Sequence, residues 1–169
     1  MDRNLQSELQ ARKDLPWQTG QRHESSQPAL IRWVLVADIP TARLQLGLSE
    51  FGRWVRASKT SVSEFEAGSS CVFLLPVLEM KADDIRRVLG EGLRGLGLPE
   101  GDAESFPFED VVLTGLTSGS ENWSNLALNW VRQIGVSDRM REALQVLAQN
   151  GPTQAIRHAS MRILGDKQG

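Results

Sequence analysis

The chain contains no tyrosine, one cysteine, two histidines and four lysines against fifteen arginines. A single thiol, Cys71, excludes an intrachain disulfide and a thiolate metal cage. Its setting in "CVFLLPVL" reads as a small buried apolar residue. His23 and His158 form no HExxH or paired Cys/His spacing, so no zinc site is expected. Serines are plentiful, but no G-x-S-x-G elbow presents one as a nucleophile. These absences lead to the expectation of a protein that is not an enzyme and holds no cofactor. No apolar run approaches the roughly 18 residues that span a bilayer, and "MDRNLQSELQ" lacks the apolar stretch of a secretory signal. The expected location is therefore cytoplasmic, with no membrane partner.

What is present is ordinary for a globular chain. Its 169 residues can bury one core, or a small domain with an appendage. Hydrophobic residues make up 40% and charged residues 24%, which excludes a disordered composition. The net charge of −2 argues against a polycation seeking phosphate.

Four regions follow from the pattern. Residues 1–29 are mostly polar, with Leu5 and Leu9 a turn apart, and "TGQRHESSQP" reads as a mobile linker, so a flexible tail is expected. In "LIRWVLVAD" (30–38), Ile31, Trp33, Leu35 and Ala37 share one face of a strand, although a short apolar run is also compatible with a helix. Pro76 inside "CVFLLPVLEM" implies an edge strand or a helix starting near it. "KADDIRRVLGEGL" has helical spacing, with Asp83 and Asp84 favoured in its first turn by the helix dipole. Together, 30–98 form an α-rich region, and 99–120 an acidic connection in which "DVVLTGL" is a short buried piece.

Residues 121–165 form a C-terminal helical unit. Ser120 caps a helix burying Trp123, Leu126, Ala127, Trp130, Val131 and Ile134. Ser137 caps a second, with Met140, Leu144 and Leu147 inward and Asn150-Gly151 as its exit. Pro152, at or near the first helical position, opens a third with Ile156, Ala159 and Ile163 inward. The expected fold is mainly α, with α+β left open: a small helical domain carrying one or two short strands and this three-helix unit.

The stretch with a sharp functional implication is "FGRWVRASKTSVSEFEAG" (51–68). Gly52 supplies a small residue where two helices would meet, Phe51, Val55, Val62 and Phe65 would hold them at an angle, and Ser58 would cap the second. "SEFGRWV" and "ASKTSVSEFEAG", with "RLQLGLS" before them, resemble the lambda-repressor-like helix-turn-helix family over residues 43–68. The resemblance implies a recognition helix whose Lys59, Thr60, Ser61 and Ser63 contact double-stranded DNA, with Ser49 and Glu50 near the backbone. Arg53 joins them as a phosphate contact.

Three further features are weighed. "GEGLRG" (90–95) matches the dinucleotide fingerprint in letters, but it follows a helical run and precedes a loop, so a flexible helix end is the better account. Trp17, in a polar segment, suits a partner anchor or a docked side chain. Arg157 and Arg162 belong to a basic C-terminal stretch opposite the acidic 99–121, a pattern that fits self-association or docking. The expected function is a non-catalytic binding protein. It is either a DNA-binding transcriptional regulator using 50–68, or a protein–protein interaction module (adaptor, immunity-type inhibitor or assembly subunit) binding a protein partner or homodimer through Trp17, Arg157 and Arg162.

Overall fold

The computed structural model describes residues 3–22, 30–58, 61–68 and 71–166. Two compact units divide the chain, Met1–Ser69 with Arg86–Phe106, and Ser70–Ile85 with Pro107–Gly169. The boundary falls inside one helix.

The first unit is built on strands β1 (Gln18–Arg22), β2 (Leu30–Ile39), β3 (Leu44–Ser49), β4 (Trp54–Ala57) and β5 (Ser61–Phe65). They close into a barrel in chain order. Successive strands pair antiparallel, and β1 meets β5 in parallel to close the ring. Directly paired residues point to the same face. Leu35, Gly47, Val55 and Glu64 therefore form one inward layer across four strands. Trp33, Val55, Ala57 and Val62, with Leu35 against them, form the core inside the barrel.

The outer face of β2–β5 is apolar as well. Val34, Val36, Leu46, Leu48, Trp54 and Phe65 are all buried. Phe106 meets Trp54 and Phe65 edge-on, at ring-centre distances of 5.5 and 6.2 Å. The Trp54 indole N–H donates to Ser105 Oγ at 2.9 Å. Helix α1 (Arg3–Ala11) contributes buried Leu5 and Leu9, and Leu15 follows it into the core. Helix α2 (Ala82–Gly95) crosses β2 at Gly92, where a Cβ would lie 1.9 Å from the Val36 carbonyl oxygen. "GEGLRG" thus lies inside a helix, and Gly92 is there for close packing.

The second unit is helical. A 3-10 run, Val72–Glu79, precedes α3 (Phe108–Thr117), α4 (Glu121–Ile134), α5 (Asp138–Asn150) and α6 (Gln154–Gly165) in this unit. Hydroxyls cap three of these helices. Ser120 accepts from Trp123 N, Ser137 from Met140 N, and Thr153 from Ile156 N. An ion-pair cluster joins α3 to α5: the exposed Arg139 places Nη2 at 3.0 Å from Oδ1 of the buried Asp110 and Nη1 at 3.4 Å from Glu109 Oε2. Ser137 Oγ also donates to Glu109. Hydrogen bonding to Asp110 raises the Arg139 pKa above its ordinary value.

Several expectations change. The fold is mixed α and β with a five-stranded barrel, not mainly α with one or two short strands. Residues 54–57 and 61–65, expected to be helical and to form a helix-turn-helix, are strands β4 and β5. Both strand faces are covered, which erases the alternation that marks a half-buried strand. Phe51, Val55, Val62 and Phe65 then fit a helical spacing equally well. Residues 3–11 and 18–22 of the expected tail form α1 and β1. The expected connection 99–120 contains a 3-10 turn, Glu100–Ser105, and the whole of α3. Thr153, not Pro152, sets the start of α6. The strand expected at 30–38 is present, extended by one residue and bulged between Leu35 and Ala37.

Candidate interaction surface

The β3–β4 connection is a three-residue hairpin, Glu50-Phe51-Gly52. Ser49 N donates to the Arg53 carbonyl at 2.9 Å, and Gly52 N to the Ser49 carbonyl at 2.9 Å. Gly52 has φ +73°, the left-handed position that ends a type I turn and lets the strands resume pairing. This geometry carries Phe51 at the tip, 44% exposed. Glycine 52 is thus a turn residue and not the meeting point of two helices.

Beside that tip runs the outward edge of β2. Leu30 and Arg32 share its outer face, and Leu30 is 68% exposed. Glu50 N donates to the Arg32 carbonyl at 2.9 Å, which ties the hairpin base to β2. The Arg32 guanidinium carbon lies 4.9 Å from the Trp17 ring centre, a cation–π stack. Its Nη1 is 3.7 Å from Glu50 Oε2, an ion pair beyond hydrogen-bond reach. The Trp17 indole N–H donates to the Arg12 carbonyl at 2.9 Å, which fixes the ring. Arg12 in turn holds the C-terminal end of α2, with Nη2 donating to the Leu96 carbonyl at 3.0 Å and Nη1 to the Gly97 carbonyl at 3.3 Å. The Asp14 carboxylate accepts from the same guanidinium and is held below its ordinary pKa by that hydrogen bond. Trp17, Arg32 and Glu50 are therefore linked, with Leu30 two residues before Arg32 on β2 and Phe51 next to Glu50 at the tip.

The other expected site residues are scattered. Arg53 follows the hairpin, with Nη1 3.8 Å from Glu64 Oε2 and Nε 4.0 Å from Glu66 Oε2. Its charge is countered by the barrel itself. Ser61 closes the β4–β5 hairpin, its N–H donating to Ser58 Oγ at 3.3 Å. Ser63 is half-buried on β5, opposite Arg56. Lys59 and Thr60 lie outside the described residues, as does His23. Arg157 is half-buried and donates to the Gly151 carbonyl at 2.7 Å, where α5 ends. Arg162 and His158 are exposed on α6. Of the expected partner trio, Trp17 belongs to the first unit and Arg157 and Arg162 to the second.

Leu30 and Arg32 were not picked out by the sequence as site residues, while Glu50 was expected near a DNA backbone and Phe51 between two helices. The signal for Glu50 and Phe51 was "SEFG", whose closing glycine marks a hairpin tip once the flanks are strands. Cys71 is fully buried, and its thiol is pushed up to about 11, by burial first and by Asp110 second. That is the environment of an inert thiol. Among the described residues no three His, Cys, Asp or Glu side chains group as metal ligands. None of the helices among them is long and apolar enough to cross a membrane. No protein-family model, curated protein or solved structure matches the chain.

Proposed function

We propose that the protein is a non-catalytic protein–protein interaction module that binds its partner through the barrel face formed by Trp17, Leu30, Arg32, Glu50 and Phe51. The observation that carries this reading is the exposed Phe51 at a hairpin tip beside an arginine stacked on tryptophan. Aromatic residues and arginine are the side chains that concentrate binding energy at protein interfaces. The Trp17 ring is held by its hydrogen bond to the Arg12 carbonyl, so little of its rotamer entropy remains to be lost on association.

Charge supports protein over nucleic acid. Glu50, Glu64 and Glu66 lie within 4.0 Å of the arginines at this end of the barrel. Duplex affinity needs several uncompensated cations tracking phosphates. A reducing cytoplasm suits the single cysteine of the chain.

The test is quantitative co-purification from the source cell extract. Wild-type protein should retain a stoichiometric partner, while Trp17→Ala and Phe51→Asp should each lose it with their circular dichroism unchanged. Arg157→Glu with Arg162→Glu should keep it. Retention by both barrel variants would overturn the reading. So would salt-sensitive binding of duplex DNA that Arg53→Ala removes.

A further inference from the structure

We infer that the ligand of this face is an acidic peptide segment, with one carboxylate flanked by apolar side chains, which Arg32 receives. The inference rests on the interaction reading above and names the chemistry of its partner. The Arg32 guanidinium carbon lies over the Trp17 ring, 4.9 Å from its centre, and the side chain remains 51% exposed. Among the described residues its guanidinium donates no hydrogen bond, since the nearest carboxylate oxygen, on Glu50, is 3.7 Å away. A planar fork of N–H donors stacked over an aromatic ring matches the two oxygens of a carboxylate. Leu30, two residues before Arg32 on the same strand, and Phe51, next to Glu50 in the hairpin, are 68% and 44% exposed and offer apolar contact to the residues that flank that carboxylate.

Glu50 gives the proposal a sign. It shares Arg32 in the free protein, at 3.7 Å, and its side chain is 27% exposed. An incoming carboxylate competes with it and is repelled by it. Neutralising Glu50 therefore strengthens capture of an acidic ligand, whereas it would weaken capture of a basic one.

The experiment titrates isotopically labelled full-length protein with two blocked tripeptides, acetyl-Leu-Asp-Leu-amide and its Asn counterpart, followed by the Trp17 indole and Arg32 side-chain N–H resonances. The Asp peptide should shift both resonances saturably, and the Asn peptide should bind at least about tenfold more weakly. Arg32→Gln and Arg32→Lys should both lose the Asp peptide, the second because an ammonium lacks the planar fork. Glu50→Gln should tighten it by about threefold, the scale of a partly exposed ion pair. Equal binding of the two peptides, no shift with either, or weakening by Glu50→Gln would overturn the proposal. So would tight binding of oligothymidylate at the same resonances. Because the co-purification uses the native partner, loss of that partner from the Phe51→Asp variant together with a negative titration would refute this inference alone.

Discussion

Gly52 sits at φ +73°, a backbone state that resists any side chain, and its would-be Cβ would lie 3.3 Å from the Gln6 backbone. Gly52→Ala should therefore cost about 1–2 kcal/mol and loosen the tip that carries Phe51. Urea unfolding of the variant reads the first effect, and amide exchange at 50–53 the second. Cys71 makes a prediction of a different kind. Its folded pKa, raised from 9.0 to about 11, exceeds the unfolded value. The folded state keeps its proton while the unfolded chain loses it. The stabilising contribution is thus complete below pH 9 and lost as pH rises through about 11. Cys71→Ala or Cys71→Val should flatten the alkaline fall of the urea midpoint over that window. In the second unit, Asp110 has a 6% exposed side chain and Arg139 as its ion-pair partner. Arg139→Ala should cost about 1–3 kcal/mol by removing the charged partner of that buried carboxylate, read by urea unfolding.

Among the elements, the helices were the most legible. Ser120 and Ser137 cap where the sequence put them, because a capping hydroxyl before an amphipathic run is a local signal. The strands were legible only where they are long. β2, ten residues rich in Val and Ile, was recognised. β4 has four residues and β5 has five, and each is buried on both faces, so neither carries a period of its own. Their identity comes from pairing with neighbouring strands and, for β5, with the distant β1, which hydrophobic periodicity does not encode. The same holds for the surface. Phe51 and Val55 looked like one apolar stripe, yet one is at a turn tip and the other inside the barrel. Helix α1 is the second lesson. Two leucines in a polar segment suggested a tail, but Leu9 is fully buried. Leu9→Ala should cost about 2–5 kcal/mol, measured by thermal or urea unfolding, where an idle tail would give no change.

On the scale of the whole molecule, the chain divides into two compact units, and the proposed binding face belongs to the first. The helical unit contains the capped helices and the Asp110–Arg139 pair, and its arginines 139 and 157 are engaged with their own unit. The barrel unit carries the exposed aromatic and arginine side chains, presented from a turn and a strand that the core holds rigid. The most direct measurement of that division is amide hydrogen exchange on the protein with its co-purified partner bound and released. The account predicts slowed exchange on binding at 17–19, 30–32 and 49–52, with 154–165 unaffected. Protection confined to 154–165, or to 61–65 without the hairpin tip, would contradict it.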